Sequence, residues 1–228
     1  MTYSVKEIFF TLQGEGVQAG RPAVFCRFAG CNLWSGLERD RDDAICKFCD
    51  TDFVGTDGEG GGKFSSPADL ASAIESQWPS RINTSGIPYV VFTGGEPLLQ
   101  LDRQLIDEMH VRGFEIAVET NGTIDAPAGI DWICVSPKSN APLKLKSGQE
   151  LKLVYPQDLA MPERFSGLQF DYFFLQPMDG PVVSKNTDAA IEYCGCNNRS
   201  KCGNTDLDFY FNDWTNAGYI LWRFPCSQ

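Results

Sequence analysis

A single histidine, His110, stands in a chain of 228 residues. That scarcity removes most histidine-based catalysis from consideration. Positive charge is also short: Lys+Arg total 19 against 30 Asp+Glu, a net charge of −11. Such an excess repels duplex nucleic acid and anionic membrane, so neither is expected as a direct partner. Long hydrophobic runs are missing too. No stretch approaches the roughly 18 consecutive apolar residues of a membrane span. Met1 to Phe10 carries Lys6 and Glu7 among its few apolar residues, which is not the pattern of a signal peptide. The compartment expected is the cytoplasm, where thiols stay reduced.

Cysteine, by contrast, is plentiful. There are nine, an odd number, with four between Cys26 and Cys49 and the others at Cys134, Cys194, Cys196, Cys202 and Cys226. A disulfide scaffold fits this uneven placement poorly. A chain this long also buries enough apolar surface to hold its core without crosslinks.

Short β-branched and aromatic runs recur at Ala23–Phe28, Tyr89–Phe92, Phe114–Val118, Trp132–Val135, Leu151–Tyr155 and Tyr172–Leu175. Helical segments lie between some of them. Ser66-Pro67 reads as an N-cap and first helical position, followed by a Leu70, Ile74 and Trp78 stripe. A second helix is expected from about Leu101 to Arg112, with Leu101, Leu105 and Met109 facing the core and Gly113 ending it. A third is expected to begin near Asn186 or Thr187. Strand–helix alternation of this kind predicts an α/β fold with about six mostly parallel strands, open or partly closed into a barrel.

The ends of the runs carry the chemistry. Four stop at small or polar clusters: Thr93-Gly94-Gly95-Glu96, Glu119-Thr120-Asn121-Gly122, Ser136-Pro137-Lys138 and Gln176-Pro177-Met178-Asp179. Parallel strands place all their C-termini at one edge, so the four clusters would build one site there. The glycine-rich Val54–Phe64 segment fails as a phosphate loop, with Asp57 and Phe64 at decisive positions. It reads as a flexible surface loop.

Cys31 is followed after 14 residues by Cys46, and after two more by Cys49. A C-x₂-C pair turns two thiolates toward one metal centre, and Cys31 adds a third across the loop. A closed structural zinc site wants four ligands, whereas three would leave one iron of a 4Fe–4S cluster open. Cys26 is the obvious fourth thiol but lies mid-strand. On spacing alone an iron–sulfur cluster, a zinc site and inert thiols all stay open.

These cysteines, together with Gly94-Gly95-Glu96-Pro97 at a strand end, resemble the radical S-adenosylmethionine superfamily. Within it the chain is similar to the 7-carboxy-7-deazaguanine synthases, in the form with an expanded cluster loop. The stretches that carry the resemblance begin with Leu12-Gln13-Gly14-Glu15-Gly16, Arg27 to Trp34 and Phe48-Cys49-Asp50-Thr51-Asp52. They continue through the Thr93, Glu119 and Ser136 clusters to Leu175–Gly180. Any one is weak; together and in order they are specific.

The resemblance implies a partial, open (β/α) barrel of the radical S-adenosylmethionine type as one domain over residues 1–228. It would carry an expanded cluster loop at about 31–64 and an atypical C-terminal segment from about 194. It implies conversion of 6-carboxy-5,6,7,8-tetrahydropterin to 7-carboxy-7-deazaguanine with loss of ammonia, by a 5′-deoxyadenosyl radical that removes hydrogen from the pterin. Cys31, Cys46 and Cys49 would hold the 4Fe–4S cluster. Gly94, Gly95 and Glu96 would meet S-adenosylmethionine, with Phe48, Cys49, Asp50, Ser136, Pro137, Lys138, Gln176, Pro177, Met178 and Asp179 lining its pocket. Thr51 would bind Mg²⁺. Leu12, Gln13, Gly14, Glu15, Arg27 and Thr93 would contact the pterin, Arg27 through its carboxylate. The partners implied are the small-molecule pterin, an electron donor of the flavodoxin type and a second copy in a homodimer.

The chain departs from the family pattern at its C-terminus, where Leu221 to Gln228 keeps Trp222-Arg223 but lacks a Thr-His-Lys-like ending. Lys144, Lys146 and Lys152 read as solvated charges. Two other readings compete: a radical activase acting on a protein partner, and a zinc module built on Cys46, Cys49 and two further cysteines.

Overall fold

The computed structural model describes residues 2–79, 86–198 and 220–222. In chain order the first elements are β1 (Tyr3–Leu12), β2 (Pro22–Phe28), β3 (Gly62–Phe64), α1 (Pro67–Gln77), β4 (Tyr89–Gly94) and α2 (Arg103–Val111). They are followed by β5 (Glu115–Thr120), β6 (Trp132–Val135), β7 (Ser147–Tyr155), β8 (Gln169–Pro177), α3 (Val183–Asn198) and β9 (Ile220–Trp222).

The strands form one sheet in the order β3-β1-β2-β4-β5-β6-β7-β8-β9. The six expected runs are β2 and β4 to β8, and every pairing among them is parallel. The fold is therefore α/β, with a mostly parallel open sheet and few helices. Three further strands extend the edges: β1 lies antiparallel to β2 and β3, and β9 antiparallel to β8. The sequence signal for β1 is hidden because the register slips between Val5 and Glu7, where a bulge brings Lys6 and Glu7 into an otherwise apolar strand.

Side chains alternate across the sheet. One face packs Val24, Cys26, Phe28, Val90, Phe92, Ile116 and Val118 against Leu70 and Ile74 of α1 and Leu105 and Met109 of α2. All are fully buried, and each large aliphatic or aromatic side chain contributes about 1.5–3 kcal/mol. Over β7 and β8 a second cluster gathers Leu151, Leu153 and Leu175 beneath Ala190 and Cys194 of α3. The other face holds Ala23, Tyr89, Val91 and Ala117, with Phe25 and Trp132 beside them, and no helix residue joins that cluster.

Helix boundaries follow their caps. Ser66 Oγ accepts from the Asp69 amide at 3.1 Å, as its sequence position suggests. α2 starts two residues later than expected because Asp102 Oδ1 accepts from the Leu105 amide at 2.9 Å. Leu101 precedes the cap and is still buried. α3 begins at Val183 rather than at Asn186 or Thr187. Asn186 sits inside the helix and donates through Nδ2 to the Met178 carbonyl at 2.7 Å, so its polarity serves the preceding loop.

The Val54–Phe64 segment is fastened down, contrary to expectation. The Gly58 amide donates to the Lys6 carbonyl at 2.9 Å, and the Ile8 amide to the Glu59 carbonyl at 2.7 Å. A Cβ on Gly61 would come within 2.2 Å of the Lys6 carbonyl oxygen, so glycine permits this approach before β3 begins. Most of the segment expected to be atypical lies outside the described residues, Cys202 and Cys226 included.

Candidate active site

The C-terminal ends of β4, β5, β6 and β8 lie at one edge of the parallel sheet. Glu96, fully buried there, binds the edge together. Its Oε1 accepts from Thr120 Oγ1 at 2.7 Å and from the Leu98 amide at 3.0 Å, and its Oε2 from the Asn121 amide at 2.8 Å. Burial raises its pKa, and these donors offset part of the rise. Glu96, expected to meet S-adenosylmethionine, spends its carboxylate on these internal partners, so the backbone of Gly94 and Gly95 is what borders the edge.

Those two glycines have a packing reason of their own. Gly94 has φ +138°. A Cβ on it would meet the Phe28 carbonyl oxygen at 2.3 Å, and one on Gly95 the Gly30 carbonyl oxygen at 2.3 Å and Cys31 Cβ at 2.7 Å. The Glu96 amide donates to the Gly30 carbonyl at 2.9 Å. The end of β4 thus grips the start of the cysteine loop, and Asn121 Nδ2 adds a 3.0 Å bond to Asn32 Oδ1.

Cys31, Cys46 and Cys49 share one apolar pocket with Leu33, Phe48 and Ala141. Cys49 has its pKa lowered to about 6, first by a hydrogen bond from the Cys46 thiol and then by the Thr51 amide and hydroxyl and the charge of Lys138. Cys46 is pushed up correspondingly as the donor, and burial raises Cys31. Among the described residues, no three His, Cys, Asp or Glu side chains converge on a single ion position. Three thiols are a soft donor set of the kind that iron–sulfur clusters and zinc both take. Cys26 lies in the opposite core, fully buried, so it is no fourth ligand. Asp50 is exposed, and Thr51 sits with its hydroxyl toward Cys49.

Lys6 fixes the far side of this loop. Its Nζ lies 2.9 Å from Asp52 Oδ2, 2.8 Å from Asp57 Oδ1 and 2.9 Å from the Val54 carbonyl. Lys6→Met is expected to let residues 52–57 lift from β1. Limited proteolysis should then cut that segment faster than in the parent protein, and iron should be lost sooner to a chelator. Equal cleavage and equal iron retention would show that Lys6 is incidental.

The helix-free face supplies a polar row across the strands. Glu7 pairs in register with Arg27 and Arg27 with Thr93. Phe92 pairs with Val118, which sets Thr93 level with Glu119, and Glu119 continues to Cys134, Glu150 and Tyr172. Arg27 Nε donates to Glu7 Oε1 at 2.7 Å. The Arg27 side chain is 21% exposed, and among the described residues no hydrogen bond engages its terminal nitrogens. Gln13 is buried and gives Nε2 to Glu119 Oε1 at 2.9 Å. A cleft at this place is lined by Gln13, Glu15, Tyr89, Glu119, Trp132 and Glu150. Leu12 points to solvent, 58% exposed, so only its backbone could serve the cleft.

Two charges here depart from the sequence reading, Glu150 on the cleft and Lys152 beside it. Lys152 is only 4% exposed, which corrects its reading as a solvated charge. It pairs with Glu15 and, at 3.3 Å, with Glu119 Oε2. Glu150 Oε1 accepts from Trp132 Nε1 at 2.8 Å and the Val17 amide at 3.2 Å. The available signal was alternation: Glu150 and Lys152 interleave with Leu151 and Leu153, which places both charges on one face of β7. Ser136, Pro137 and Lys138 sit together beside the cysteines, Lys138 Nζ donating to the Ser136 carbonyl at 3.0 Å. Gln176 to Asp179 ends β8, where the Met178 amide donates to the Tyr155 carbonyl at 2.7 Å. His110 lies on α2, 2.9 Å from Asp131, away from all of this.

No family model matches the chain. Among curated proteins it is 66% identical over 194 residues to the 7-carboxy-7-deazaguanine synthase of Caulobacter vibrioides, covering 85% of this chain and 91% of that protein. The same enzyme of Nitratidesulfovibrio vulgaris is 57% identical over 197 residues, with the same two coverages, 85% and 91%. The crystal structure of QueE from Escherichia coli superposes with a TM-score of 0.64 at 28% identity, covering 87% of this chain and 92% of that one.

Proposed function

The chain belongs to the family of 7-carboxy-7-deazaguanine synthases, enzymes of the queuosine pathway whose activity it shares, and from that premise we propose how its own residues serve the reaction. Cys31, Cys46 and Cys49 would hold a 4Fe–4S cluster, and Gly94, Gly95, Ser136 to Lys138 and Gln176 to Asp179 would border S-adenosylmethionine at the strand-end edge. When bound, the two together supply the radical that takes hydrogen from the pterin. Glu96 acts through position: by holding Leu98, Thr120 and Asn121 it fixes the Gly94-Gly95 backbone against the cysteine loop.

The pterin would lie on the helix-free face. Arg27 offers its two free terminal nitrogens to the substrate carboxylate, the bidentate arrangement in which a guanidinium binds most strongly. Thr93 stands beside it in register, and Thr51 would give an oxygen to a Mg²⁺ that neutralises the same carboxylate. Gln13, Glu15 and the backbone of Leu12 to Gly14 meet the pyrimidine end. The sheet beneath excludes water from one side of the ring and holds it in the orientation the radical needs. An electron donor, a homodimeric assembly and a cytoplasmic setting belong to the same reading. The thiols support the last of these, since the six cysteines described are all free.

The observation that carries this reading is Arg27, whose terminal nitrogens no described residue engages, at the end of β2 that leads into the three-cysteine loop. Anaerobically reconstituted protein given reductant, S-adenosylmethionine, Mg²⁺ and 6-carboxy-5,6,7,8-tetrahydropterin should release 7-carboxy-7-deazaguanine and ammonia in equal amounts. Formation of 5′-deoxyadenosine with bound pterin but no deazaguanine acid would count against it.

A further inference from the structure

We infer that Arg41, between the first two cysteines of the pocket, is a positioning residue for the bound cluster. It holds the Cys46-x-x-Cys49 turn in its ligand-bearing shape and sets beside that turn a positive charge that eases reduction. This rests on the ligand assignment proposed above.

The 14 residues between Cys31 and Cys46 are not a slack connection. The Leu33 carbonyl accepts from the Ile45 amide at 3.1 Å and the Cys46 amide at 3.4 Å, which closes the segment at its base. Within it, Glu38–Asp40 forms a single 3₁₀ turn, and Trp34 Nε1 donates to the Leu37 carbonyl at 3.2 Å. Trp34 is buried and stands edge-on to Phe53, with ring centroids 5.6 Å apart. The Phe53 carbonyl in turn accepts from the Gly30 amide at 3.1 Å. The indole is therefore a platform tied to the chain just beyond β2.

Arg41 uses that platform. Its guanidinium carbon lies 4.1 Å from the Trp34 ring centroid, within reach of a cation–π contact. Nε donates to both Glu38 carboxylate oxygens at 2.8 Å. Nη1 donates to the Lys47 carbonyl at 2.9 Å and to the Cys49 carbonyl at 3.0 Å. Residues 46–49 belong to no helix or strand that would pair their backbone, and among the described residues no other hydrogen bond reaches those two carbonyls. One planar fork thus spans the turn, and a lysine has neither the flat face nor the fixed fork to replace it.

The charge of Arg41 outlasts this pairing. The Glu38 side chain is 78% exposed against 26% for Arg41, so water screens the anion more than the cation. Lys138 adds a second positive charge to the same pocket. Charge and hydrogen bonding around the ligands are the means by which a protein adjusts an iron–sulfur potential.

A redox titration of the anaerobically reconstituted protein, read by electron paramagnetic resonance, tests the inference together with iron loss to a chelator. In Arg41→Gln the ratio of reduced to oxidised cluster at a fixed potential should fall about tenfold, 59 mV for one electron, and iron should leave faster than from the parent. Arg41→Lys keeps the charge without the fork. It should restore the ratio while still losing iron faster. Glu38→Gln, on an exposed side chain, removes the opposing charge and should raise the ratio; it supplies the answer if neither Arg41 variant holds a cluster. A parent-like ratio in Arg41→Gln, or in Glu38→Gln where the Arg41 variants hold no cluster, would overturn the inference. So would parent-like iron retention in both Arg41 variants. A parent protein that takes up no iron and sulfide would instead overturn the ligand assignment.

Discussion

Cys49→Ala leaves the anaerobically reconstituted protein without iron or acid-labile sulfide and without product formation. The three thiols are the only sulfur donors in their pocket among the described residues, so removing one leaves two, too few to retain the cluster. Cys49 is also the thiol whose surroundings favour the thiolate, through Cys46, Thr51 and Lys138, and the thiolate is the form that binds metal. No described neighbour can replace it. Cys26 is sealed between the sheet and its helices, where burial drives its pKa up and keeps the thiol neutral. Cys194 sits on α3, buried against β7 and β8. The control is therefore sharp: Cys26→Ala and Cys194→Ala should lower the melting temperature through lost packing yet bind iron at the parent level. Iron retained by Cys49→Ala, or lost from Cys26→Ala, would refute the ligand assignment.

How far the sequence reveals this molecule depends on where a residue's partners come from. Trp132–Val135 reads as a strand because four apolar residues between turn signals need no context, and β6 has those bounds. The strand-end clusters are legible for the same reason, since parallel topology alone sends them to one edge. β1 is harder. Its Lys6 belongs to a loop that returns some 46 residues later, at Asp52, and nothing local announces that pairing. Glu96 shows the opposite difficulty. Its motif marks the cofactor edge, yet the direction of its carboxylate depends on Thr120 and Asn121, a strand away. Lys152 alternates with apolar residues and so shares a face with Glu150, but a lysine is rarely buried without partners, and its partners Glu15 and Glu119 come from the β1–β2 turn and from β5, far away in the chain.

Glu150→Gln makes the protein more stable above neutral pH and leaves it unchanged in acid. Glu150 is 3% exposed. Its pKa rises from 4.5 to about 7, first through burial and then through repulsion from Glu119, with Lys152, the Trp132 indole and the Val17 amide pulling it back. Between those two values the folded protein holds a proton that the unfolded chain has released. By linkage, stability therefore falls as pH rises from about 4.5 to 7 and stays reduced above that. The shift corresponds to about 3 kcal/mol at one and a third kcal/mol per unit. Glutamine removes the buried charge while its carbonyl can still accept from Trp132 and Val17. The variant should melt about 5–10 °C higher at pH 8, and the two curves should coincide near pH 4. A parent protein as stable as the variant at pH 8 would show that the charge is compensated in place. The reason to keep so costly a carboxylate lies over the cleft. Glu150 presses so closely on Gly16 that a Cβ there would overlap its Oε2, and it binds the next amide. It thereby anchors the turn that carries Gln13 and Glu15, and the stabilised variant should show a raised KM for the pterin, the cost that stability gained at a functional site commonly carries.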